Sequence, residues 1–552
     1  MGYLKSVGTA VIYIGLFLAI ITFIPGLPPD SEFREYSVVP LRDIDPKIGP
    51  KNRLTNAERL FEGKFTGPEA FAAYDGQLYT GVHGGYVLRI EEDDFVPIVK
   101  FGEKCDGMWQ EHKCGRPLGM KFDKKGNLYV IDAYYGIFKV NVATGEYKNI
   151  VNVSKPIDGK IPLIPNSIDV AENGDLYWTT SSSDFALYDL VFAFLGNPSG
   201  RLIRYNAAKQ KNEVLLQNLA FANGIILSDD ESFALVSETI AGHIIKYHLK
   251  GPKAGQKEIF IDGLPGAPDN LQSDGQGGFI VTTIISANSE HPQLSFILAP
   301  HPYLRKMLVR LLLMMELPFK LLHDIYPNTF TEKVLHAIGS YHVLGDTFNT
   351  LKKSFVLRID ASGNIIEILF SEDNTINGIS EAFIHNGFVW FGSPWRNYIA
   401  RLPLKQVFPD LANNEKQSSR TRSENAAASN VKSERAKRDT ISTSASTTTS
   451  KPTPTSTTTP KPIATPTTSK PTTTPKPSPT PKVDKRTTTD SSNEKPSTIK
   501  NPTSKSASDA KVKKNSAETV KVEQDASIRE KVQKSSPKKV KPVEANRPRD
   551  DL

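Results

Sequence analysis

Six times between Ala73 and Leu402 the chain sets a Gly, Asn or Asp turn ahead of a strand that alternates apolar and aromatic residues. This repeat limits the possible folds more than any other feature of the sequence. The copies read AYDGQLYTGVHGGYVLRI from Ala73, DKKGNLYVIDAYYGIFKV from Asp123, ENGDLYWTTSSS from Glu172, SDDESFALVSETIAGHIIKYHL from Ser228, SDGQGGFIVTTI from Ser273 and HNGFVWFGSPWRNYIARL from His385. Alternation bounded by such turns marks strands joined in hairpins. Over the first five copies the turn centres fall about fifty residues apart, which suits four-stranded blades. Six blades closed in a ring bury their faces on one another and leave no long sheet edge open. The sequence therefore predicts an all-β fold, a six-bladed β-propeller over residues 61–411.

The sixth copy comes late because a helical insertion, 300–340, separates it from the fifth. Its central stretch, YLRKMLVRLLLMMELPFKLLHDIY from Tyr303, is apolar and helical in propensity and carries Arg305, Lys306, Arg310 and Lys320. Pro318 is expected to break or kink it. Two readings stay open. One is a lid buried against a propeller face. The other is a membrane-apposed amphipathic segment that admits lipophilic substrates.

At the other end, the run from Val7 to Ile24 is apolar, preceded by Lys5 and followed by Pro25-Gly26. At about 1.5 Å per residue it is long enough to cross a bilayer. It exceeds a typical signal-peptide core and no small-x-small cleavage site follows, so an uncleaved anchor is expected over 7–24. Residues 1–6 then form a cytosolic tail and 25–60 a juxtamembrane segment. Everything after Pro25 is lumenal or extracellular, a type II single-pass arrangement.

From 412 to 552 the composition changes to Ser, Thr, Pro and Lys, which cannot build a core. The stretch from Thr440 to Thr503 is that of an O-glycosylated, mucin-like stalk, a partner for carbohydrate-binding proteins. Arg435-Ala436-Lys437-Arg438 has the spacing of a dibasic processing site. The net charge of +8 comes largely from lysines in this tail rather than from a patterned face, which argues against nucleic-acid binding. The two cysteines, Cys105 and Cys114, lie close together with too few further ligands for zinc. Downstream of a membrane signal they favour a short-loop disulfide over two free thiols. Asn152-Val153-Ser154 is an N-glycosylation acceptor.

Propellers gather function in the central channel, where several blades converge on one ligand. An oxygen-bearing residue recurs near the start of successive blades: Glu69 after Gly67-Pro68, Asn166 after Pro165, Asn223 after Ala222, and Asp269-Asn270 after Pro268. Asn and Asp are common in turns for local reasons. Their recurrence at one place points further, because carboxylate and amide oxygens are what a hard ion such as calcium requires.

These residues lie in stretches such as FANGIILSDDESFALVSETIAGHIIKYHLKGPKAG and GLPGAPDNLQSDGQGGF. With SSSDFALYDLVFAFLGNPSGRLIRYN and IDAYYGIFKV they resemble the strictosidine synthase-like family, in its animal branch of adipocyte plasma membrane-associated and hemomucin-type proteins. The resemblance implies a six-bladed propeller, a Cys105–Cys114 disulfide and membrane anchoring. Plant synthases of the family condense an amine with an aldehyde through a glutamate. Here Ser380 falls at its place and Glu381 one residue along, and on a strand one residue turns a side chain to the other face. More distant paraoxonase and lactonase propellers hydrolyse esters or lactones on calcium held by oxygens like these. Their histidine pair is replaced by Leu118 and Ala133, which leaves Asp269 as the candidate base or nucleophile. The expected functions are thus a calcium-dependent arylesterase or lactonase acting on small lipophilic substrates, then a non-enzymatic surface mucin of adhesion or immune recognition, then a condensing enzyme using Glu381.

Overall fold

A computed structural model describes residues 2–29, 31–42, 46–340 and 353–413. Six antiparallel sheets follow one another along the chain as blades, at 71–100, 117–151, 165–219, 222–261, 266–370 and 381–403. Each of the six turns read from the sequence joins the first strand of a blade to its second. The innermost strands, Phe71–Tyr74, Pro117–Phe122, Pro165–Val170, Ala222–Leu227, Gly266–Ser273 and Glu381–His385, pack side by side around the axis. The predicted propeller is therefore the fold of the chain.

The apolar core lies between the blades. Tyr79, Val87 and Phe101 of the first blade interleave with Met120, Val130 and Phe138 of the second. Tyr177 and Leu202 of the third meet Ile225, Val236 and Ile245 of the fourth in the same way. Each such side chain removed from water contributes about 1.5–3 kcal/mol, so every blade is stabilised mainly by its neighbours.

The ring closes through residues the sequence reading assigned to the juxtamembrane segment. Glu58–Leu60 is the outer strand of the sixth blade, pairing Glu58 with Arg401 and Leu60 with Ile399. Lys51–Asn52 adds in parallel to the outer edge of the fifth blade. Two or three paired residues carry no alternation of their own, so this closure has no local signature.

The helical insertion leaves from inside the fifth blade, between its strands Phe279–Ser286 and Phe355–Ile359. It holds the helices Leu294–Leu298, Pro302–Ile325 and Thr329–Gly339, and the long one continues through Pro318. Near the N-terminus, Gly2–Phe23 is one helix with exposed Val11, Ile12 and Phe17, long and apolar enough to cross a membrane. The stalk at 440–503 and the basic motif at Arg435–Arg438 lie outside the described residues.

Candidate metal centre

Four blades interrupt their innermost strand at the same height. The pairing register shifts between Pro117 and Gly119, between Pro165 and Ile168, between Ala222 and Ile225, and between Pro268 and Leu271. A bulge of this kind frees a residue from the ladder and re-aims its side chain. The freed positions include Leu118, Asn166, Asn223 and Asp269. Glu69 stands just ahead of the first blade's innermost strand. All five line one cavity of about 100 Å³.

A second set of residues fixes the orientation of the two amides. Asn166 Nδ2 donates to Ser181 Oγ at 2.9 Å, and Ser181 in turn donates to the Ala222 carbonyl of the next blade at 2.8 Å. Asn223 Nδ2 donates to Thr239 Oγ1 at 3.2 Å, and Thr239 donates to Pro268 O at 2.8 Å. Thr179, Ser237 and Thr282 reach across likewise, to Asn223 O, Asp269 O and Ser380 O, each at 2.6 Å. Ser380 closes the series on Glu69 O at 2.7 Å. The sequence reading missed these hydroxyls. They recur within the repeats as Thr-Thr-Ser, Ser-Glu-Thr and Thr-Thr near the second strand's end, and that recurrence was the available signal.

With each amide nitrogen engaged, the oxygens are left over. Glu69 Oε2, Asn166 Oδ1, Asn223 Oδ1 and Asp269 Oδ1 are buried and accept no hydrogen bond among the described residues. Buried polar groups in folded proteins are nearly always partnered, so acceptors left without a hydrogen bond around one cavity make this a candidate cation site. One guanidinium is close by: Arg116, itself buried, lies 3.5 Å from Glu69 Oε2 and donates to Pro394 O. It packs against Gly67, whose φ of +68° places a Cβ onto the guanidinium and so requires glycine. Arg116 serves Glu69 and leaves the other three oxygens unserved. An all-oxygen set with two carboxylates and two amides fits calcium, with water completing its six to eight ligands.

The electrostatics agree. Burial, opposed by Arg116, pushes the Glu69 carboxyl up to about 7. Asp269 is raised well above the usual range, first by burial and then by the negative charge of Glu69. Two carboxyls raised in this way resist ionising together unless a cation stands between them.

The other candidates sit elsewhere. Asn270 is buried with Nδ2 unpartnered, next to Asp269 on the strand but outside the lining of this cavity. Glu381 is also buried and outside the lining, its two oxygens accepting from Gln272 Nε2 and the Phe71 backbone N–H. It ties the fifth, sixth and first blades together, and burial raises it to about 7. Leu118 faces the cavity, and Ala133 packs with Leu118 and Phe221 behind it. Cys105 and Cys114 form a disulfide. Within that loop Gln110 and Lys113 both bind Glu332, and Lys333 lies over the Trp109 ring. The loop thereby holds the Thr329–Gly339 helix, which brings His336 and then Ser340 to the cavity. Asn152 is exposed beyond the outer strand of the second blade and accepts from the Ser154 N–H at 2.9 Å.

Comparison with known proteins accords with this architecture. The strictosidine synthase family profile matches residues 166–252, which include Asn166 and Asn223, and that of the strictosidine synthase-like N-terminal region matches 50–90. The adipocyte plasma membrane-associated protein hemomucin of Drosophila melanogaster is 41% identical over 409 residues, covering 73% of this chain and 70% of the relative. The adipocyte plasma membrane-associated protein of Gallus gallus is 33% identical, covering 65% of this chain and 81% of its own. Among solved structures, a gluconolactonase from Xanthomonas campestris is 13% identical with a TM-score of 0.40, covering 68% of this chain and 98% of its own. A calcium-binding regucalcin from Agrobacterium tumefaciens is also 13% identical with a TM-score of 0.38, covering 62% and 92%. By its relatives and its matched regions, the chain belongs to the strictosidine synthase-like family, in the branch of adipocyte plasma membrane-associated protein and hemomucin.

Proposed function

We propose that the chain is a membrane-anchored, calcium-dependent hydrolase of small lipophilic esters or lactones. The oxygens of Glu69, Asn166, Asn223 and Asp269 around one axial cavity, the last three unserved by Arg116, carry this reading. Glu69, Asn166, Asn223 and Asp269 would hold the ion, which when bound polarises a substrate carbonyl oxygen. Leu187, Leu190, Phe194, Phe221, Ile284 and Ile285 form an apolar part of the lining that would favour an apolar acyl or aromatic group. Asp269 would take the proton of the attacking water at its carboxylate. The replacement of the paraoxonase histidines by Leu118 and Ala133 leaves no imidazole at those positions for this role.

The full chain in detergent, assayed on aryl esters and lactones with and without a calcium chelator, tests the reading. Chelator-sensitive turnover together with bound calcium by elemental analysis is expected. Bound calcium without turnover would favour the non-enzymatic surface mucin, and absence of both defeats the metal centre.

The same reading puts the Gly2–Phe23 helix across the membrane as a type II anchor. The propeller and an O-glycosylated tail, free to engage carbohydrate-binding proteins, then lie on the lumenal or extracellular side. Migration of the secretory-pathway product at its polypeptide mass would refute the glycosylated tail.

A further inference from the structure

The Pro302–Ile325 helix turns apolar residues outward as well as inward, unlike a surface helix of a soluble protein. Its charged residues Arg305, Arg310 and Glu316 are buried, whereas Leu304, Met315, Leu317, Leu321, Leu322 and Ile325 are exposed, Ile325 to 83%. Its exposed charges, Lys320 and Asp324, lie in the last two turns. Large exposed apolar faces on a folded protein mark interaction sites.

The structure also indicates what covers this one. Arg310 Nη1 donates to Ile21 O at 2.8 Å, Thr22 O at 3.0 Å and Ile24 O at 2.9 Å. These carbonyls belong to the C-terminal end of the anchor helix, whose last turn leaves such groups unsatisfied and carries partial negative charge. Phe23 packs on Tyr303 with ring centroids 5.4 Å apart. Arg305 holds the other side, donating to Gly196 O at 2.6 Å and lying over the Tyr36 ring. The exposed face therefore begins where the anchor ends.

Beneath the helix lies a cavity of about 420 Å³, lined by residues including Leu308, Leu311, Leu312, Leu294 and Val191. Such a volume is within the range of small-molecule sites, roughly 300–1,000 Å³. Phe194 and Ile285 line both this cavity and the axial one, so the two share a wall.

We propose that the outward face of the Pro302–Ile325 helix is immersed in the lipid leaflet beside the anchor, and that the apolar cavity beneath it receives the acyl chain of a membrane-dissolved lipid. The inference rests on the membrane-spanning reading of Gly2–Phe23 and is independent of hydrolysis. Substrate would then reach the oxygen-lined centre laterally from the bilayer, without crossing water.

Both native cysteines are disulfide-bonded and the chain has no others, so single cysteines can be labelled cleanly. The full chain, reconstituted in phosphatidylcholine vesicles, would carry a fluorophore at Ile12→Cys, Met315→Cys, Leu322→Cys or, as a control on an outer blade strand, Tyr147→Cys. Lipids brominated on the acyl chain should quench labels at 12, 315 and 322, and aqueous iodide only that at 147. Loss of lipid quenching at 12 would sink the anchor reading itself. Quenching at 12 with iodide access at 315 and 322 would overturn the immersed helix alone. Protection of 315 and 322 from both quenchers, with crosslinking between chains, would assign the face to a second copy and overturn the proposal too. Phosphatidylcholine bearing a diazirine at the chain end should give adducts on Leu308, Leu312 or Phe194. Adducts confined to Leu304 and Met315 would refute entry into the cavity.

Discussion

Asp269→Asn removes one charge and no heavy atom, and it should move the protein in opposite directions with and without calcium. In chelator, Glu69 and Asp269 are both raised in the folded state, Glu69 from 4.5 to about 7. Each carboxyl thus binds its proton more tightly folded than unfolded. Stability must fall as pH rises from the unfolded values, near 4, through the folded ones. For Glu69 alone the rise amounts to about 3 kcal/mol lost by about pH 8. Asp269, buried and repelled by Glu69, adds to the loss.

The substitution deletes the Asp269 share and relieves Glu69, so the chelated variant should be more stable than wild type at about pH 8. For a domain of this size that raises Tm by a few degrees. With calcium the sign reverses. Two unit charges about 4 Å apart at an effective dielectric of about 20 interact by about 4 kcal/mol, so losing one carboxylate should weaken Kd on the order of 100- to 1,000-fold. Thermal unfolding of the full chain in detergent, in chelator and in excess calcium at about pH 5.5 and pH 8, reads both effects. A variant that is less stable than wild type in chelator, or that keeps the full calcium-induced rise in Tm, would refute the claim that Asp269 is an uncompensated charge awaiting a metal.

Other perturbations separate the parts of the site. Ser181→Ala strands the Asn166 amide and the Ala222 carbonyl, at a cost of about 1–3 kcal/mol. By freeing Asn166 to rotate it should also weaken calcium binding, and unchanged calcium titration would deny the hydroxyl its positioning role. Gly224→Ala places a Cβ 2.6 Å from Asp269 O and 2.7 Å from Asn270 Cα. Backbone cannot yield there without parting two blades, so denaturant unfolding should show a loss of about 1–3 kcal/mol. Replacing both Cys105 and Cys114 by serine opens a loop of sequence separation 9, expected to cost about 2–3 kcal/mol. Hydrogen exchange should rise first in the Thr329–Gly339 helix that the loop holds through Glu332. Asn152→Gln should remove one glycan's worth of gel mobility from the secretory-pathway product, and an unchanged band would show the sequon unused.

How much of this was legible in the sequence follows from the range over which each feature is encoded. A hairpin turn and its alternating strands are local, so Asp75-Gly76, Asn173-Gly174 and Asn386-Gly387 reveal the blades. Asn166, Asn223 and Asp269 could be singled out from the sequence because the third, fourth and fifth blades repeat the same bulged start and the recurrence survives without knowledge of the fold. Glu381 was harder to place. Its type suits acid–base chemistry, but both its oxygens are taken by groups 109 and 310 residues away, and no local pattern records that. The closure by Glu58–Leu60 and the grip of Arg310 on the anchor's last turn are likewise long-range pairings, one through two or three backbone contacts and the other through a single side chain. In the sequence Arg310 is only one of four positive charges on an apolar helical stretch. Its guanidinium is instead taken by backbone carbonyls 286 to 289 residues away. Leu308, Val309 and Leu312 pack inward on the core while Leu304, Met315, Leu317, Leu321 and Leu322 stay exposed, so the helix is apolar on both sides, and which side meets protein is decided by contacts that no helical period in the sequence records.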